Sequence, residues 1–357
     1  YQFQQAIFAP QAYYAYRLQR NQEELKKLLL ELHKRFLSLG VAQQFIQILM
    51  DQHRLQILQG QQPVLEARHR EISQEVKAGS GLKVNALEYE YLLAANAFQT
   101  AELRRRIRLE KLELMRLMGL VGTLEVADRL QLIAPNLQHN DGDESTENLI
   151  LEALKSRLEL KVADLGTQQS EEQIRLALSG FLPRIGVQGI YSRSSNSFLR
   201  YADNLLLGAG LFLSVFEGFR SITEYRQALR MRKLSLVERE SRCVAVILEV
   251  LRARELYRQA KENLELADKR LQLAQARLAQ VKAQIKAGTV PPSVEKQAQA
   301  ELIMARETLM VTRCVRFLGR LVLNQSLGRS ILDSAGKRTQ TNPRPQPSRK
   351  EKDDRQK

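Results

Sequence analysis

The chain has 357 residues, enough for two ordinary domains, but its composition is not that of two compact ones. Leu, Ala, Gln, Glu, Lys and Arg dominate, Trp is absent, and Gly (18) and Pro (9) are sparse, which is the vocabulary of long helices. The net charge of +15 suits polyanions or simply solvates long helices; no basic run is interleaved with aromatics as a single-strand binder needs, so nucleic acid is not expected as a partner.

In chain order, "YQFQQAIF" reads as a short strand, Phe8 and Pro10 mark the turn from strand to helix, and a helix follows from about residue 11 to Lys77. Gly40 and the "GQQP" at 60–63 are expected to kink or interrupt that helix. A turn over 79–84, marked by Gly79 and Gly81, precedes a helix from Leu82 to Met118. Asn85 with Glu88 three residues on resembles a capping box. Residues 120–147 read as a linker, and the "DGDE" at 141–144 lacks the alternating ligands of a calcium loop.

The stretch 149–180 reads as a helix or a broken helix pair. The period then changes to two. Residues 183–193 alternate, with Ile185, Val187, Gly189 and Tyr191 on one face, and 205–217 place Leu205, Leu207, Ala209, Leu211, Leu213 and Val215 on one face. Two strands of about this length are long enough to cross a bilayer at a tilt, whereas the apolar run at 204–216 is too short for a spanning helix. Leu205, Leu207, Leu211 and Leu213 are the lipid-facing candidates.

Phe216 and Gly218 turn the chain into a helix over 219–287, free of Gly and Pro, which at 1.5 Å per residue spans about 100 Å. A second tip turn at 288–292, with Gly288 and Pro291, leads to a helix over 293–326 for which Ser293 is the natural N-cap, with Glu295 two residues later. The tail at 335–357 is polar, basic and reads as disordered. Cys243 and Cys314 stand at levels about 28 Å apart if their helices turn near Gly288, so they do not pair within that hairpin.

The landmarks repeat. "VKAGS" at 76–80 and "IKAGT" at 285–289 lie 209 residues apart, Gly119 and Gly328 are also 209 apart, and Phe8 and Phe216 are 208 apart. Two structural repeats are therefore expected, at 1–119 and 148–328, and both turns are expected at one end. The first repeat lacks a counterpart of 148–208, and the chain opens without Met; an N-terminally truncated chain with a signal peptide upstream is the expectation. An isolated strand hairpin is unstable in water, and in lipid it must close into a barrel. Four strands per full-length chain are too few to close one, so several copies must contribute.

The chain resembles the TolC-type outer-membrane efflux protein family from Tyr1 to about Gly328. The resemblance rests on "ALSGFLPRIGVQGIYSRS" at 177–194, "LLLGAGLFLSVFEGFRS" at 205–221, "AQVKAQIKAGTVPPSVEKQAQAELIMARETL" at 279–309 and its partner "EVKAGSGLKVNALEYEYLLAANAFQTAEL" at 75–103. It implies a mainly α protein with a small β part. Long antiparallel coiled-coil helices would form an α-barrel, and strands from a homotrimer would form a 12-stranded transmembrane β-barrel. It further implies a passive duct through the outer membrane and periplasm, in contact with outer-membrane lipid. A periplasmic adaptor (membrane fusion) protein and an inner-membrane pump would dock at the tip turns. Where many members carry an aspartate after the tip glycine, this chain has Asn85, so no aspartate ring is expected; "SRLEL" at 156–160 lacks the family's proline.

His33, His53, His69 and His139 share no ligand spacing, and there is no phosphate loop or nucleophile elbow. No enzyme, metal or cofactor is expected. The alternative reading is a soluble or periplasmic coiled-coil scaffold or adaptor, which has no use for the strand hairpin at 183–217.

Overall fold

A computed structural model describes residues 1–133, 144–193, 203–214, 216–287, 289–290 and 293–330. Gly288, Pro291, the strand-connecting loop and the basic tail lie outside the described residues, as does the side chain of Ser293. The elements are β1 (Gln2–Phe8), α1 (Pro10–Lys77), α2 (Lys83–Leu117), α3 (Leu124–Arg129), α4 (Thr146–Ser156), α5 (Leu158–Ser179), β2 (Arg184–Arg193), β3 (Asp203–Phe212), α6 (Arg220–Lys286) and α7 (Ser293–Ser326). They fall into two compact units: Tyr1–Lys34 with Glu144–Arg252, and Arg35–Asp143 with Ala253–Lys357.

The first unit holds the sheet. Its strand order is β1-β2-β3, antiparallel throughout, with Gln2 opposite Ile190, Leu207 opposite Gly189 and Arg184 opposite Phe212. β3 stops at Phe212 rather than running to 217; its last ladder partner is Arg184, the residue at which β2 begins. Leu213 therefore lies outside the strand.

The helix expected over 149–180 is broken at Arg157, whose ψ of 126° ends α4 and starts α5. The Arg157 side chain is 7% exposed and lies 3.1 Å from Glu159 Oε2, with Glu249 of α6 as a second carboxylate partner. Glu172, also buried, receives Arg17 Nη2 and Arg175 Nη1, each at 2.8 Å. These charges are buried in company, which is the condition for burying them at all.

The second unit is built from helices. α1 runs unbroken through Gly40, Gly60 and Pro63, so the expected interruption does not occur. A proline there removes one backbone bond. Tertiary contacts hold the helix across it: the buried Asn96 amide of α2 donates to Leu58 O at 3.2 Å and Gln62 Oε1 at 2.7 Å. One apolar cluster joins Ile48 of α1 to Leu103, Ile107 and Leu114 of α2. Another joins Ile46 and Leu49 of α1 to the free, buried Cys314 of α7. The stretch read as linker carries α3, tied to α2 by Arg108–Asp128 at 2.9 Å and by Lys111 Nζ to Leu130 O at 2.7 Å.

α6 turns a strict seven-residue series of small residues inward: Ala253, Ala260, Ala267, Ala274 and Val281 are all buried. Small residues on a seven-residue spacing let two helices approach closely along a coiled-coil seam. Gly319 of α7 comes within 3.6 Å of Tyr257 by the position its Cβ would take.

Arg106 Nε sits 3.1 Å from Asp51 Oδ2 and 3.0 Å from Glu110 Oε1. Burial pushes the Glu110 carboxyl above its ordinary range; its bond from Arg106 opposes this and Asp51 adds to it. A carboxyl whose folded value is raised holds its proton more tightly in the folded state, so stability falls as pH rises from the unfolded value through the raised folded one. Glu110→Gln, which leaves Asp51 to hold Arg106, is predicted to flatten that slope in thermal unfolding followed across pH. An unchanged slope would contradict the assignment.

Candidate functional site

The two tip stretches end their helices in the same way. After α1, Ser80 N donates to Glu75 O at 3.0 Å and Ser80 Oγ donates to the same oxygen at 3.1 Å. After α6, Thr289 N and Thr289 Oγ1 both donate to Gln284 O at 3.0 Å. This is a Schellman closure with an added hydroxyl. It explains why both stretches carry a small hydroxyl residue: the hydroxyl adds a side-chain donor to a carbonyl that the helix leaves unpaired. Gly79 has φ +76°, and a Cβ on Gly81 would lie 2.9 Å from Val76 N, so both glycines are required by backbone geometry. The far ends match too: Leu120 N donates to Met115 O and Arg329 N to Asn324 O, each at 2.9 Å.

The two turns lie at one end of the second unit. Lys296 Nζ of α7 is 3.6 Å from Glu71 Oε2 of α1, and Lys282 of α6 is 3.8 Å from Glu295 of α7. Arg68, bonded to Glu71 at 2.8 Å, and then Lys296 hold the Glu71 carboxyl below the ordinary range. Asn85 and Glu88 are exposed. α2 begins two residues before Asn85, with Leu82 as N-cap and no side-chain cap, so the capping box is absent. Asn85 sits inside the first turn, and its N–H bonds back to Leu82 O at 3.1 Å. Glu295, in the first turn of α7, accepts from Gln299 Nε2 at 3.1 Å.

The strands form the second candidate surface. Registry puts Leu205, Leu207, Ala209 and Leu211 on one face with Tyr191, Gly189, Val187 and Ile185. A Cβ on Gly189 would meet Leu207 at 3.0 Å and Phe3 at 3.5 Å, which places Phe3 on that face as well. The opposite face carries Gln2, Gln4, Gln188, Gly186, Gly208 and Gly210 together with Ala6, Arg184, Ile190, Leu206 and Phe212. Leu205, Leu207 and Leu211 are each at least 64% exposed. The sheet is thus largely apolar on one side, with Gln5 as its amide, and mixed on the other, where amides and glycines stand among Ile190, Leu206 and Phe212.

The strand-to-helix turns differ between the two copies. Ala9 and Pro10 start α1 directly after Phe8, whereas Gly218 (φ 60°) and Phe219 (φ 66°) are both left-handed, and Phe219 packs edge-on to Phe216 at 5.4 Å. Sequence reasoning missed Glu71, Lys296 and Arg157. Glu71 and Lys296 are charges on helices and Arg157 is a charge at the break between α4 and α5, and only the fold supplies their partners.

Residues 149–316 match the family model described as "Outer membrane efflux protein". The chain has the fold of an outer-membrane efflux channel. It is similar to the outer membrane protein VceC from Vibrio cholerae, at 14% identity and TM-score 0.73, covering 92% of this chain and 79% of that one. It is similar to the Campylobacter jejuni CmeC outer membrane channel at 12% identity and TM-score 0.77, covering 92% and 70%. It is also similar to the open state of the Neisseria gonorrhoeae MtrE outer membrane channel, at 16% identity and TM-score 0.66, covering 90% and 71%. A sequence search of curated proteins finds no match.

The turn geometry gives a direct test. Gly79→Ala puts a side chain into the left-handed region, at a cost of about 1–2 kcal/mol, and is predicted to raise amide exchange over 75–82. Gly60→Ala, inside α1 with nothing within 4 Å of the new methyl group, is predicted to be neutral or stabilising by about 0.5–1 kcal/mol. Equal effects in denaturant melts would contradict this reading of the turn.

Proposed function

We propose that this chain is a protomer of an outer-membrane duct for efflux or secretion, a homotrimer in which strands from three copies close one barrel and the helices form a periplasmic tunnel. The observation that carries this is the sheet with one largely apolar, exposed face and one mixed face holding glutamines and glycines, joined to two long helical hairpins whose turns lie together. Among the described residues no helix is long and apolar enough to cross a membrane, so a membrane contact falls to the strands. Their apolar face meets lipid through Leu205, Leu207 and Leu211, and the Gln- and Gly-rich face lines water. The family match and the fold support this reading. A coiled-coil scaffold gives the apolar face no purpose.

The duct performs no chemistry. The paired turns, with Asn85, Glu88 and Glu295 around them, are the surface on which a periplasmic adaptor and an inner-membrane pump dock, and the pump supplies the energy. The two halves are structural repeats: α1 and α6 have 68 and 67 residues, and α2 and α7 have 35 and 34.

In fractionated cells the chain is predicted to partition with the outer membrane and to be released by detergent. Leu207→Arg, on the lipid face, opposes insertion by about 2–4 kcal/mol at mid-membrane and is predicted to deplete the membrane-integrated pool. Gln188→Arg, on the other face, is predicted to leave that pool unchanged. Recovery of the parent chain in cytosol or inner membrane overturns the proposal.

A further inference from the structure

α1 and α2 meet through a polar patch inside the first hairpin. Asp51 of α1 and Glu110 of α2 both stand on Arg106, which is 56% exposed, while the two acid side chains keep only 9% and 14% of their surface. Glu110 Oε2 is buried and has no hydrogen-bond partner. Two ionised carboxylates on one guanidinium leave one negative charge uncompensated away from water, and one oxygen without a donor. A single proton removes both faults. The cluster becomes neutral, and Glu110 as an acid donates to Asp51.

No other charge takes that place. On α1, the Gln47 amide reaches Asp51 Oδ2 at 3.4 Å, Arg54 is exposed, and His53 lies about 200° round the helix from Asp51. On α2, Glu102 acts on Arg106, and Lys111 is spent on Leu130 O. On α3, Asp128 is paired with Arg108, and Glu125 and Arg129 are exposed. The α7 side chains at the α1 contact are apolar: Met310, Cys314, Phe317 and Leu318.

Nor does the fold require acids at this level. The 209-residue offset puts Ala260 and Gly319 at the places of Asp51 and Glu110. Those two also meet: a Cβ on Gly319 would stand 4.0 Å from the Ala260 Cβ and 3.6 Å from Tyr257. The second hairpin closes this level with two minimal side chains, and the first closes it with two carboxyls.

We infer that Asp51 and Glu110 share one proton, and that this proton is a pH-sensitive brace between α1 and α2, present in the first hairpin alone. Burial raises the Glu110 carboxyl above its ordinary range, with Arg106 opposing and Asp51 adding. Opening the seam returns Glu110 to water and to its ordinary value, so the open form releases a proton that the closed form keeps. Opening is therefore favoured as pH rises from the ordinary glutamate range through the raised value, and levels off above it.

The test is amide exchange of the full chain in detergent, followed across that pH range. Residues 47–55 and 104–112 are compared with 256–264 and 313–321, so that the intrinsic pH dependence of exchange cancels. Opening of the first seam relative to the second is predicted to climb by up to about tenfold per pH unit, the slope of one proton, and then to level. Glu110→Gln is predicted to flatten the ratio. Asp51→Asn, whose amide donates to the Glu110 carboxylate, is predicted to move the climb to lower pH, and Glu102→Gln to leave it in place. The proton itself is read as an infrared band of a protonated carboxyl that persists where ordinary carboxylates are ionised and is lost in Glu110→Gln. A flat ratio in the parent chain, or a climb that survives Glu110→Gln, overturns the brace. Absence of the band in the parent chain overturns the shared proton, even where both variants fail to fold.

Discussion

The constraint on which the rest depends is the unpaired backbone at the two edges of the sheet. Tyr1 and Tyr191 exchange both backbone bonds, which fixes the alternation across all three strands. The outward-pointing N–H and C=O groups are then those of Gln2, Gln4 and Ala6 on β1 and of Leu205, Leu207, Ala209 and Leu211 on β3. On β3 the outward backbone groups belong to the same residues whose side chains form the apolar face. Lipid that accepts those side chains cannot satisfy those backbone groups, so the edges require further strands. The duct reading thus follows from an incompatibility inside β3 as much as from resemblance.

The same logic of incomplete surfaces holds in the helical unit. Long helices stack through alanines and a few buried polar ties, and the layer they form ends in two edges with leucines and aromatics in the open. A chain of this design is stable as part of a larger object. Its charge follows from that: Lys and Arg cover the solvated faces, and the ion pairs that matter are those crossing between helices, such as Glu71–Lys296 and Arg106–Asp51, rather than those along one helix.

Much of this was legible in the sequence because it depends on period. The change from helical spacing to alternation marked the strands, and the 209-residue echo of Gly79 and Gly119 marked the turns. What period cannot show is where partners stop. β3 ends at Phe212, opposite Arg184 where the facing strand begins, and Leu213 lies past the end of the strand. α1 continues past Pro63 because Asn96, on a different helix, supports it. The start of α2 at Lys83 falls one residue from the expected Leu82, but it has no side-chain cap, so the Asn85–Glu88 pattern is not what starts the helix. The tip hydroxyls were visible as a pattern, but their purpose emerged only when both were found on the same carbonyl position, Glu75 O and Gln284 O.

The most direct measurement is residue-resolved amide exchange of the chain reconstituted in bilayers. The account predicts strong protection at Leu205, Leu207 and Leu211 of β3, because a strand of another copy bonds those outward amides. Fast exchange at these edge amides, with the inner amides of Gln188 and Gly208 protected, would show a sheet that stays open in the membrane and would contradict the closed duct.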